Sequence, residues 1–141
     1  MFEQANFIIE NHLADNWSAT LIDYDNIEFN PIRGTSFIRL QVEWVDANVT
    51  SIGGRTKGEG YIDLSIFVPS NSGTEAAFLM ADELAVLFNR FQSGALRFNV
   101  ARTVRVGKQE QWYHIKVLVP FTYDQCYMPQ LGYGGFCGYG N

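Results

Sequence analysis

The chain has 141 residues, of which 47% are hydrophobic, 15% aromatic and 18% charged, a composition that suits one globular domain and is too apolar for a disordered segment. Its formal charge of −5, from 15 acidic and 10 basic residues, argues against broad binding along nucleic-acid phosphates, which needs clustered lysine and arginine. No basic region precedes an apolar run and the apolar stretches are short, so neither a secretory signal nor a membrane span is expected.

A chain of this length buries about two-thirds of its unfolded surface and needs no disulfide or metal to hold a core. Cys126 and Cys137 lie near the C-terminus at a spacing that fits no redox or zinc motif. Free thiols are expected ahead of a loop-closing disulfide.

The first element reads as an amphipathic helix from Phe2 to Asn16. Phe2, Ala5, Ile8, Ile9, His12 and Leu13 recur at helical spacing, with Glu3, Gln4, Asn6, Glu10 and Asn11 opposite. Thr20 to Tyr24 is a short strand candidate and Ile27 to Phe29 another, before Asn30-Pro31 imposes an extended turn. From Phe37 to Asp46, Ile38, Leu40, Val42 and Trp44 alternate with Arg39, Gln41, Glu43 and Val45, the period of a half-buried strand. Ala47 to Gly60, with Gly53, Gly54, Gly58 and Gly60, reads as a polar loop. Alternation then resumes from Tyr61 to Val68, which makes the two strands a hairpin with a long, glycine-loosened tip.

Ser72 followed by Glu75 predicts a capping box that opens a second helix to about Phe91. Its apolar stripe is Ala77, Met80, Ala81, Leu84, Leu87, Phe88 and Phe91, and Gly94 is its stop signal. Leu96 to Val106 alternates as one strand, Gly107 to Glu110 makes a turn, and Trp112 to Phe121 alternates as the last strand. The expected fold class is therefore α+β: an antiparallel or mixed sheet of four to five strands carrying two helices, with a long hairpin loop. Residues 1–125 form the domain, and residues 126–141 form a tail in which glycines interleave with Tyr133, Phe136 and Tyr139.

Nothing in the sequence groups a nucleophile with a base and an orienting residue. His12 and His114 lack neighbours at metal-ligand spacing and read as structural. Lys57 is followed by Gly58 and leads into a strand, where a phosphate loop would need Ser or Thr and a helix. Arg97, Arg102 and Arg105, with Arg39, offer a basic sheet face that meets an acidic partner or lines a channel for DNA. Their plainer reading is a solvated surface paired with Asp63 or Glu43. Phe67 and Trp112 sit either on an outer contact face or beneath the first helix.

The order of landmarks resembles the tail terminator family of long-tailed bacteriophages, also called tail completion or minor tail protein U-like. The resemblance runs through Phe29-Asn30-Pro31-Ile32-Arg33-Gly34, then Phe37-Ile38-Arg39, and then Gly60 to Pro69 leading to Gly73. It continues in the helix with Ala77, Ala81, Asp82, Leu84 and Phe88, and ends at Trp112-Tyr113 and Val119-Pro120-Phe121. Ser36 stands where a proline would precede the aromatic, and the tail after Tyr127 has no counterpart in the family pattern.

The resemblance implies a non-enzymatic virion protein with no cofactor. It would form a hexameric ring on the head-proximal end of the tail tube, stop tube growth and meet the neck proteins that join tail to head. Assembly would occur in the host cytoplasm, with no membrane partner and with DNA passing through without specific binding. On that basis Asn48, Thr50, Ser51, Arg55 and Lys57 are expected to face the tube, and Tyr133, Phe136 and Tyr139 to hold a neighbouring subunit or neck protein. Two alternatives remain at this level: another neck or tube-related component, and a small-ligand module using the sheet near Trp112 and His114.

Overall fold

The computed structural model describes residues 2–25, 27–32, 34–49, 55–70, 73–109 and 111–126. These residues form two helices, one followed by three strands and the other by four. They are α1 (Phe2–Asn16), β1 (Leu21–Tyr24), β2 (Phe37–Val49), β3 (Arg55–Pro69), α2 (Glu75–Phe88), β4 (Gln92–Ser93), β5 (Leu96–Phe98), β6 (Arg102–Gln109) and β7 (Trp112–Cys126). The strands form one mixed sheet in the order β1-β2-β3-β7-β5-β4, and β6 pairs with β7 beside β5. β1 is parallel to β2, and the remaining pairs are antiparallel.

The sheet thus exceeds the expected four to five strands. Thr20 to Tyr24 does supply a strand, but Ile27 to Phe29 supplies none. The single strand read over Leu96 to Val106 is two. Phe98 opposes Phe121 and Arg102 opposes Leu118, four residues against three on the same partner. Between them the N–H of Ala101 leaves the ladder and donates to Asn89 Oδ1 at 3.2 Å, just past the end of α2.

β2 and β3 also run further than their alternation showed. β2 reaches Val49 and β3 starts at Arg55, so most of the segment read as a polar loop is ladder, with Asn48 opposite Lys57 and Trp44 opposite Gly60. Glycine at 60 is required by close approach: a Cβ there would collide with the Glu43 carbonyl oxygen and lie 3.0 Å from the Phe121 ring. The vacancy lets Trp44 and Phe121 meet edge to face over Gly60, with centroids 5.0 Å apart. A bulge at Val45 shifts the register next to this point.

Both helices pack on one face of the sheet. Ala5, Ile9 and Leu13 of α1 and Ala77, Ala81, Leu84 and Phe88 of α2 close over Ile38, Leu40, Ile62, Leu64, Ile66, Ile115, Val117 and Val119, all at or near zero exposure. The two helices are joined through His12. Its Nε2 lies 2.8 Å from the Leu87 carbonyl, which requires Nε2–H to donate, and its ring stacks on Phe91 at 3.7 Å. The structural reading of His12 is therefore correct. Thr74 precedes α2 as its N-cap with no side-chain cap bond, while Ser72 of the expected capping box lies outside the described residues. The helix stops at Phe88, because Asn89 turns extended (φ −61°, ψ 115°) and Arg90 follows at φ 59°, a conformation that glycine adopts most easily.

Candidate assembly surfaces

The face of the sheet without helices carries the alternate side chains of the same strands. At one end Phe37 stacks on Phe67 at 4.7 Å and meets Trp112 edge-on at 5.2 Å. Phe67 stacks in turn on His114 at 4.2 Å, and the Arg39 guanidinium sits 5.1 Å above the Phe67 ring. Phe67 and Trp112 therefore lie on the outer face and not beneath α1. Their rings, with His114, fill one another's space. Burial and the positive charge of Lys116 hold the His114 imidazole below its ordinary pKa, opposed by Asp63 and reinforced by Arg39. Neither of its ring nitrogens has a hydrogen-bond partner among the described residues.

The middle of this face is ionic. Asp63 accepts from Ser65 Oγ at 3.0 Å and from Lys116 Nζ at 3.2 Å. Arg39 Nε donates to Asp23 Oδ2 at 2.8 Å, tying β2 to the edge strand β1. The basic residues of the sequence reading thus pair differently: Asp63 takes a lysine, and Arg39 takes an aspartate from the other side of its strand.

At the far end the face opens into a shallow groove of about 770 Å³, bordered by Val45, Tyr61, Val100, Arg102, Leu118 and Pro120. Val45 and Val100 are strongly exposed there. Arg97, Arg102 and Arg105 do not share one face. The extra residue between β5 and β6 reverses the alternation, so Arg97 (opposite Thr122) and Arg102 (opposite Leu118) look out on the groove side. Arg105 pairs with Ile115 on the helix side and, with Lys108, borders a hollow at Gly73 and Thr74 before α2.

Beyond the groove β2, β3 and β7 continue together as a three-stranded arm, to Val49, from Arg55 and to Cys126. Asn48, Arg55 and Lys57 belong to this arm and not to a loop. Lys57 lies 3.7 Å from Glu59 on its own strand. Thr50 and Ser51, and the tail residues Tyr133, Phe136 and Tyr139, lie outside the described residues.

One surface was missed in the sequence. The outward side of α2 carries exposed Phe78, Leu79 and Val86 beside exposed Glu75, Asp82 and Glu83. The signal was present: the helix is apolar on two sides, and a helix facing water on one of them should not be.

Among the described residues no three His, Cys, Asp or Glu side chains gather as a metal site, and no helix is long and apolar enough to cross a membrane. What the molecule displays is surfaces. A family model described as phage tail terminator protein matches residues 7–121. The chain belongs to the phage tail terminator family. As a tail terminator it is a structural protein of the bacteriophage tail, in a family that works through contacts with other tail components. A solved structure with 17% sequence identity superposes with a TM-score of 0.64, covering 86% of this terminator and 96% of its own chain, which shows a shared fold. No curated protein matches the chain.

Proposed function

We propose that this terminator closes a six-membered ring on the head-proximal end of the tail tube, where it ends tube polymerisation and presents the surface that the neck proteins join. The observation that supports this reading is the pair of exposed apolar surfaces on opposite sides of the domain, the groove with its arm and the outward side of α2. A subunit with different surfaces on its two sides associates head to tail, and head-to-tail contacts that turn by a constant angle close into rings. The net charge of −5 keeps the free subunits soluble until they meet the tube. DNA passes through the ring without specific binding.

The tube is met by the arm residues Asn48, Arg55 and Lys57 together with Thr50 and Ser51 of the segment that connects β2 to β3, and the tail residues Tyr133, Phe136 and Tyr139 hold a neighbouring subunit or neck protein. Electron microscopy of the purified protein mixed with tail tubes tests the first claim. Protein is expected at one end of each tube only, and binding along the tube or at neither end overturns the reading. Replacing residues 50–54 by Asn-Gly, which suits a tight hairpin connection, should leave thermal unfolding unchanged and abolish capping. Truncation after Cys126 should leave the domain folded and reduce ring formation or neck joining.

A further inference from the structure

The outward side of α2 and the groove on the opposite face of the sheet have matching properties. α2 spans 14 residues and contains Glu75, Asp82 and Glu83 with no lysine or arginine. These acids flank Phe78, Leu79 and Val86, the last 79% exposed. Asp82, Glu83 and Val86 further border a hollow of about 370 Å³ between the end of α1 and α2, together with Asn16, Trp17 and Leu87. The groove has the complementary set: Val45, Val100, Leu118 and Pro120 form its apolar floor and rim, and Arg97 and Arg102 stand out on the same face. Glu59 is the acidic residue on its border, next to Lys57.

Each surface alone is an apolar strip that water covers at a cost. Together they offer an apolar centre with charges of opposite sign at the margins, the arrangement that fixes partner and register in protein interfaces. The two lie on opposite faces of the same β3–β7 sheet, so one molecule cannot bring its own helix to its own groove.

We infer that the occupant of the groove is α2 of a second copy of this chain, with Asp82 and Glu83 facing Arg102 and Arg97. This contact rests on the ring reading and gives it a direction: each subunit presents its helix to one neighbour and its groove to the other. It assigns Arg97 and Arg102 to the contact between copies and removes them from any DNA-facing channel.

Charge exchange tests the contact. The basic-side variant is Arg97→Glu with Arg102→Glu, the acidic-side variant is Asp82→Arg with Glu83→Arg, and a third protein carries all four changes. All four positions are exposed, so thermal unfolding should match the parent in each. Self-association is followed by sedimentation velocity, and rings are scored at tube ends by electron microscopy where they form only on tubes.

Each one-sided variant is expected to weaken association by at least about tenfold, and the four-fold variant to recover it. One-sided variants that assemble like the parent overturn the inference and leave the terminator reading standing. So does loss in both without recovery, since the two faces then meet other partners. A parent that forms rings yet leaves tube ends bare overturns the terminator reading, while the recovery still decides the contact. A parent that neither self-associates nor caps tubes overturns both.

Discussion

The two faces of the sheet are built from the same strands and obey opposite rules. On the helix side β2, β3 and β7 present Ile, Leu and Val to two helices, and nearly every side chain is sealed. On the other side the intervening positions run from a ring cluster at Phe37, Phe67 and Trp112, through the Asp63–Lys116 pair, to a groove with exposed valines. One face stabilises the fold by burying apolar area. The other keeps its apolar area partly open, and open apolar patches commonly mark interaction surfaces.

The comparison predicts unequal costs. Phe88 is fully buried against Phe98 and His12, so Phe88→Ala should lower unfolding stability by about 3–5 kcal/mol in denaturant titration. A side chain at Gly60 would press on the Glu43 carbonyl and the Phe121 ring. Gly60→Ala should cost about 1–3 kcal/mol and weaken the Trp44–Phe121 contact, which near-ultraviolet circular dichroism would register.

The smallest effect is on the open face. His114 is held below its ordinary pKa by burial and by Lys116, so the folded state favours the neutral ring. Its stabilising contribution is complete above the ordinary histidine value of about 6.5 and is lost as pH falls below it, where the unfolded chain takes up the proton first. His114→Phe keeps a ring on Phe67 and should flatten that acidic limb in melts taken at successive pH values. An unchanged limb would mean that another group causes it.

Where period two was unbroken, the sequence was a faithful guide. Phe37 to Trp44, Tyr61 to Val68 and Trp112 to Phe121 alternate onto the faces that the structure gives them, with the bulge at Val45 ending the match before Asp46, and α1 has the bounds that its spacing predicts. Errors arose where a distant partner overrides local chemistry. Gly58 and Gly60 looked like loop residues because glycine disfavours strands, and only the edge-to-face contact of Trp44 with Phe121 across the sheet shows why Gly60 belongs in one. The three arginines looked like one basic face because nothing near Ala101 announces that its N–H will be claimed by Asn89, twelve residues earlier. The family pattern was legible because it is a matter of order along the chain. The surfaces were not, since they depend on which side of α2 the sheet occupies.

β3 is paired along both edges over most of its length, from Arg55 opposite Cys126 to Pro69 opposite Trp112 on one side and from Thr56 to Phe67 against β2 on the other. A strand clamped in this way cannot slide without breaking two ladders at once. The arm is therefore a stiff ruler of roughly 17 Å beyond Gly60 at the usual strand rise. In the ring proposed above, such rulers would set their far ends at one radius, so the diameter of filament that the assembly accepts would be written into the length of its central strand.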